Sequence, residues 1–203
     1  MVLRLHPSTV FLKKKAVDDC LRFISFTLFR PLPEDPIVYD NDSDEVVPFQ
    51  DPFFDMLQKC YELLNALVSS SLLHELITPS FLHQLVHLFF SNDKRERAQL
   101  RITIHHMYAR FPSRRALFRK EFQSVIHDIA ASQSDLAGVE DVLEFYAIIL
   151  KGVVVPIHDD HLLFMRQCLF QLLKKPRLES CFSGIDNCFR LLVIKDPSLC
   201  VDV

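Results

Sequence analysis

The chain has 203 residues, 49% of them hydrophobic, with 23 Lys and Arg against 26 Asp and Glu for a formal net charge of −3, and a chain this long and apolar can bury a sizeable core. Only 3 glycines stand beside 18 phenylalanines, which leaves little room for hairpin turns at positive φ. Gly138, Gly152 and Gly184 lie too far apart to write GxGxxG or GxxxxGK[ST], so most nucleotide-binding enzymes are excluded.

Residues 1–30 read as an N-terminal helical region. Lys13, Lys14 and Lys15 are not followed by the apolar run and small-residue cleavage site of a signal peptide. The six cysteines, at 20, 60, 168, 181, 188 and 200, form no CxxC. They are read as reduced, buried thiols in a cytoplasmic or nuclear protein. The longest stretch without Asp, Glu, Lys or Arg, 76–92, contains Pro79, two histidines, Gln84 and Asn92, and it is not expected to span a membrane.

Residues 31–52 are set apart by composition. "PLPEDPIVYDNDSDEVVPFQD" (31–51) has four prolines, seven acids and no Lys or Arg. Proline blocks helix and the charges repel, so the stretch reads as an extended, mobile acidic loop. Its functional alternative is an acidic mimic that docks on a basic groove.

From residue 53 onward the pattern is amphipathic helix. Phe53, Leu57, Cys60, Leu64 and Leu67 step by four, three, four and three. Thr78–Pro79 opens a helix over 79–90, and Asp93 caps the next, with Glu96 three residues on as in a capping box. That helix runs to Phe111 and stops at Pro112. Another opens at Ser113 and ends near Ala131, and a fourth spans 135–151 with Gly152 at its C′ position. Asp159 and Asp160 start a fifth that ends before Pro176, and a sixth covers 178–194.

Pair starts at 79, 113 and 159 are about 40 residues apart on average, the period of HEAT or armadillo helix pairs. The expected fold is therefore all-α, a HEAT-like superhelical solenoid of antiparallel helix pairs over 53–203, with a globular bundle as the alternative. A helix begun at "KDPS" and not completed suggests a truncated array. Phe189, Leu192 and Val193 of the last pair are expected to lack a covering repeat.

Segment 94–120 holds nine of the 23 Lys and Arg residues and one acid, Glu96. Such a patch attracts an anion, faces an acidic neighbour or is a solvated face. Arg115 and Arg119, four apart on one helix, are the two for which a functional role is strongest. On the wheel, Leu100, Ile104, Met107, Tyr108 and Phe111 form the stripe of the 94–111 helix. His105 lies on its flank, with His106 further round. In the next helix the stripe is Val139, Leu143, Tyr146 and Leu150, with Phe145 and Ile149 on a partly wet shoulder. Apolar shoulders beside Tyr, His and Arg suit a short peptide carrying aliphatic side chains and one carboxylate.

"FLHQLVHLFFSNDKRERAQLRITIHHMYARFPSRRALFRKEF" and "VLEFYAIILKGVVVPIHDDH" resemble the B-prime (56-kilodalton) family of regulatory subunits of protein phosphatase 2A. "LFRPLPEDP" and "CFRLLVIKDPSL" extend the resemblance over residues 16–203, the N-terminal half of that family's array. The resemblance implies a non-enzymatic, HEAT-like subunit that works with the phosphatase scaffold and catalytic subunits. Its concave groove is expected to take substrates through Leu-x-x-Ile-x-Glu motifs. It further implies that His105 and Tyr108 border the leucine pocket and that Phe145 and Ile149 wall the isoleucine side. Arg115 and His161 then donate to the glutamate, and His158 stands where the family has lysine. His106 replaces a family arginine, which weakens any preference for phosphorylated or acidic residues inside the motif.

Metal and cofactor binding are not expected: His83 and His87 are spaced i, i+4 and "HDDH" clusters at 158–161, but there is no HExxH. GxSxG is absent too, and no enzyme activity is expected. Two other readings remain. One is a truncated helical-repeat module that binds motifs without the phosphatase, a decoy. The other is a nucleic-acid-backbone binder using the basic 94–120 face, against which stand the net acidity and the absence of tryptophan. No nucleic-acid or membrane partner is expected.

Overall fold

The computed structural model describes residues 14–32, 48–131, 138–176 and 178–201. Most of the acidic loop, residues 33–47, lies outside the described residues. Four helix starts carry side-chain caps. Ser70 Oγ accepts from the Leu72 amide to open α3, Ser71–Leu76. Thr78 Oγ1 accepts from the Phe81 amide at 3.1 Å, with Pro79 in the first turn of α4, Pro79–His87. Asp93 Oδ1 accepts from the Arg95 amide at 2.8 Å and starts α5, Lys94–Arg110. A 3-10 turn, Pro112–Arg114, leads into α6, Arg115–Ala131. His158 Nδ1 accepts from the Asp160 amide at the start of α8, Asp159–Phe164. That helix continues through a π turn, Met165–Leu169, into α9, Phe170–Leu172. The remaining helices are α1, Lys14–Leu28; α2, Phe54–Val68; α7, Val139–Lys151; and α10, Phe182–Lys195. No strand occurs among the described residues.

The helices pack in two layers. One layer stacks α2, α5, α7 and α10 in that order; the other carries α4 against α6 and α6 against α8–α9, with α1 packed on α2 and α3. The chain therefore alternates between layers, as a stack of antiparallel helix pairs does. The hydrogen bonds between neighbouring helices of the first layer keep one sequence separation. Arg97–Asp141, Arg101–Glu144, Gly184–Glu140 and Lys195–Lys151 link residues 44, 43, 44 and 44 positions apart. The fold is an all-α solenoid whose repeat is read directly from these contacts.

Two glycines differ from expectation. Gly152 is right-handed, at φ −84°, and ends α7 without a left-handed cap. Gly138, at φ +77°, supplies the left-handed residue instead, at the start of α7. A Cβ there would overlap the Phe89 carbonyl, so both backbone angle and close approach require glycine.

Glu96 also does not do what the capping-box pattern suggests. It is fully buried. Arg30 Nη1 and Nη2 donate to its two carboxylate oxygens at 2.9 Å each, and Tyr61 Oη donates to Oε1 at 3.3 Å. Arg30 Nη2 also reaches Asp51 Oδ2 at 2.7 Å, and the Asp51 amide donates to Asp93 Oδ2 at 2.8 Å. A buried charge cluster therefore joins the end of α1 and the starts of α2 and α5.

The last pair is better covered than its sequence suggests. Phe189 and Leu192 are buried and Val193 is half-buried. Phe170 packs on Phe189 at 5.4 Å between ring centroids, and the 3-10 turn Pro197–Val201 folds back on α10. The thiols are all free, and Cys60, Cys168, Cys181 and Cys188 are buried. Burial pushes Cys168 and Cys188 up to about 12, which keeps them protonated and unreactive.

Candidate functional site

The basic segment 94–120 meets acidic neighbours. Arg95 pairs locally with Asp93 at 2.7 Å, and across the stack Arg97 pairs with Asp141 at 2.6 Å, Arg101 with Glu144 at 2.8 Å and Arg119 with Asp160 at 3.3 Å. Arg114 instead donates to the His74 carbonyl. Much of the positive charge is thus already neutralised, which leaves little of it for a nucleic-acid backbone.

Where α5 turns into α6, aromatic rings gather. Tyr108, half-buried, lies 5.7 Å from Phe118 and 6.0 Å from Phe145, ring centroid to centroid, and exposed His105 lies 6.3 Å from Phe145. Phe122 stacks on Phe145 at 5.0 Å. Edge-to-face and offset geometries of this kind suit the aromatic quadrupole. Arg115, at the start of α6, donates Nε to the Tyr108 carbonyl at 3.1 Å and places its guanidinium 5.1 Å from the centre of the Tyr108 ring. Its two terminal amino groups make no hydrogen bond among the described residues, so the fork stays available to a carboxylate.

Arg119, one turn along α6, joins this cluster to the start of α8. Burial opposes its charge, but the Tyr108 hydroxyl and the Asp160 carboxylate beside it raise its pKa above the ordinary value. Gln123, the next turn on, donates Nε2 to Tyr146 Oη at 3.2 Å and to the Asp160 carbonyl at 2.8 Å. The Tyr146 hydroxyl also lies 3.3 Å from His161 Nδ1, and an uncharged His161 keeps one ring N–H to donate. Burial, with Arg119 nearby, lowers His161 to about 4. At neutral pH it is an uncharged donor.

The structure brings His105, Tyr108, Arg115 and Phe145 together, with His161 linked to them through Arg119, Gln123 and Tyr146. His106 is not in this group: it lies on the side of α5 that faces α2, with Nδ1 3.4 Å from Asn65 Oδ1. His158 is exposed and caps α8. Phe145 and Ile149 are buried and do not form a wet shoulder. α7 packs against α5, α6 and α10, so its apolar face is wider than one stripe, and Ile148 is its exposed aliphatic residue. Gln123, Tyr146 and Asp160 were given no part in the site by the sequence, which read Tyr146 as core and Asp160 as a helix start. The signal was the spacing of Arg115, Arg119 and Gln123, each four apart on one helical face.

A family model described as "Protein phosphatase 2A regulatory B subunit (B56 family)" matches residues 4–203. The B' theta isoform of the 57 kDa regulatory subunit of serine/threonine protein phosphatase 2A from Arabidopsis thaliana is 30% identical over 192 residues, 90% of this chain and 39% of its own. The protein phosphatase 2A regulatory subunit psrA of Dictyostelium discoideum is 29% identical over 186 residues, covering 87% of this chain and 29% of its own. The delta isoform of the 56 kDa regulatory subunit of Saccharomyces cerevisiae is 28% identical over 192 residues, covering 90% and 25%. The chain spans at most about two fifths of the length of these curated relatives.

Proposed function

The chain belongs to the B56 family of protein phosphatase 2A regulatory B subunits, and on that premise we propose that it is a non-catalytic subunit that recruits substrates to the phosphatase through short Leu-x-x-Ile-x-Glu segments. Tyr108 and His105 border the leucine side. Arg115 holds the motif glutamate, with the uncharged imidazole of His161 as a second donor. Phosphatase scaffold and catalytic subunits are the proposed assembly partners.

The single observation behind this reading is the state of Arg115. Its Nε is anchored on the Tyr108 carbonyl while its terminal amino groups stay open. An arginine fixed by one nitrogen is oriented before any ligand arrives, which lowers the entropy lost on binding. The test is titration of a labelled Leu-x-x-Ile-x-Glu peptide, with a Glu→Ala peptide as control. Arg115→Ala removes a hydrogen-bonded charge pair, about 1.5–3 kcal/mol or roughly ten- to hundredfold in affinity, and Arg115→Lys does not restore it. Equal binding by wild type and Arg115→Ala sinks the assignment. Copurification with a phosphatase catalytic subunit separates a working subunit from a decoy that binds motifs alone.

A further inference from the structure

Seven arginines lie within residues 94–120. Four of them hold a carboxylate: Arg95, Arg97, Arg101 and Arg119. The other three, Arg110, Arg114 and Arg115, pair with no acid among the described residues. These three flank one hydroxyl, that of Ser113, at three positions before it and one and two after it. No Asp or Glu occurs between Glu96 and Glu121, and Glu75, beside His74 on α3, is held by Lys14 at 2.8 Å. Three neighbouring cations without an anion are a local charge imbalance, and the chain places among them a residue that can acquire negative charge.

The turn between α5 and α6 presents that residue to solvent. Phe111 ends α5 at φ −117° and ψ 72°, and its buried ring lies 5.7 Å from the His74 ring, centroid to centroid. Pro112 and Ser113, which follow, are both exposed. Ser113 Oγ is 2.8 Å from His74 Nε2, and Arg114 Nη2 donates to the His74 carbonyl at 3.1 Å. Arg114 Nε is buried without a hydrogen-bond partner among the described residues. Ser113 also lies in the 3-10 turn that leads into the 17 residues of α6, so negative charge on it meets the positive end of a long helix.

We propose that Ser113 is a phosphorylation site for a kinase that reads arginine three positions before the hydroxyl, and that its phosphate takes up the uncompensated arginines of this turn. The Ser113 oxygen bonds to the γ-phosphorus of ATP as the bond to the β-phosphate oxygen breaks; ADP leaves, and the hydroxyl proton passes to the base of the kinase. The new group carries about −1.5 to −2 charges and three acceptor oxygens. Its effect on the motif site rests on the reading above: a phosphate two residues from Arg115 competes with the motif glutamate for that guanidinium and repels it.

The test treats the full chain with ATP and a purified kinase of that selectivity, and mass spectrometry locates the phosphate. Wild type gains one phosphate on Ser113, Ser113→Ala gains none there, and Arg110→Ala is modified about tenfold more slowly. The phosphorylated chain melts about 3 °C higher than the unmodified one. That gain shrinks at high salt and in Arg114→Ala. The phosphorylated chain binds a labelled Leu-x-x-Ile-x-Glu peptide about tenfold more weakly, and in Arg115→Ala phosphorylation causes no further loss. Absence of phosphate from Ser113, or an unchanged melt once it is there, overturns the proposal. Unchanged affinity in a chain that does bind the motif overturns the link to Arg115. If the unmodified chain does not distinguish the peptide from its Glu→Ala control, the motif reading alone fails, and a phosphate on Ser113 with a raised melt still supports the site.

Discussion

Arg30 is mostly buried and answers two buried carboxylates, Glu96 and Asp51. Removing one member of such a cluster leaves the others charged and dry, which typically costs about 3–5 kcal/mol. Arg30→Ala should lower stability by that amount in urea denaturation, and the double change Arg30→Met, Glu96→Leu should recover a large part of it. If Arg30→Ala unfolds at the wild-type urea midpoint, the cluster is solvated and contributes nothing. His161 acts in the opposite sense. Burial holds its pKa near 4, below the ordinary 6.5. The unfolded chain therefore takes up this proton on acidification before the folded one does. Between pH 6.5 and about 4 its contribution to stability falls as pH falls, at up to about 1.4 kcal/mol per pH unit. His161→Gln should flatten the pH dependence of the melting temperature in that window. Binding of a carboxylate peptide should not strengthen there through His161, because the ring stays uncharged.

At the scale of elements, α7 and α10 meet with almost no clearance. A Cβ on Gly184 would lie 2.7 Å from Leu143 Cβ and 2.8 Å from Glu140 Oε2, which accepts the Gly184 amide proton at 3.1 Å. Gly184→Ala should therefore destabilise by about 1–3 kcal/mol through overpacking, although alanine favours helix elsewhere. A melting temperature equal to wild type would show that the two helices can part freely. The same close stacking explains what could be read in advance. Helix starts at Thr78–Pro79, Asp93 and Asp159 were legible because caps and proline act within one turn of chain. The stripe of α7 was legible, but its width was not. Periodicity reports one buried face, and a helix with neighbours on three sides buries Phe145 and Ile149 as well. Glu96 failed for a related reason. It has the right spacing for a capping box, yet its partner Arg30 lies 66 residues away, and no local rule reaches that far. In the site, Arg115 and Tyr108 were visible as residue types. The chain from Arg119 through Gln123 and Tyr146 to His161 depends on how α6 packs beside α7 and α8, and only the fold supplies that.

Over the whole molecule, the hydrogen bonds that stack α5, α7 and α10 link residues 42–45 positions apart. Among the described residues these bonds tie each pair of helices to its neighbour, so cohesion is close to a sum of nearest-neighbour terms. Such a chain is, mechanically, a spring with countable coils. Pulled from its two ends it should yield in steps and not all at once. Each step should release one unit of about 44 residues, roughly 150 Å of contour at about 3.4 Å per residue. Optical tweezers would show a sawtooth of that period, with the highest force at the unit held by Arg30. A single rip spanning the whole chain would mean that the coils are coupled well beyond their neighbours.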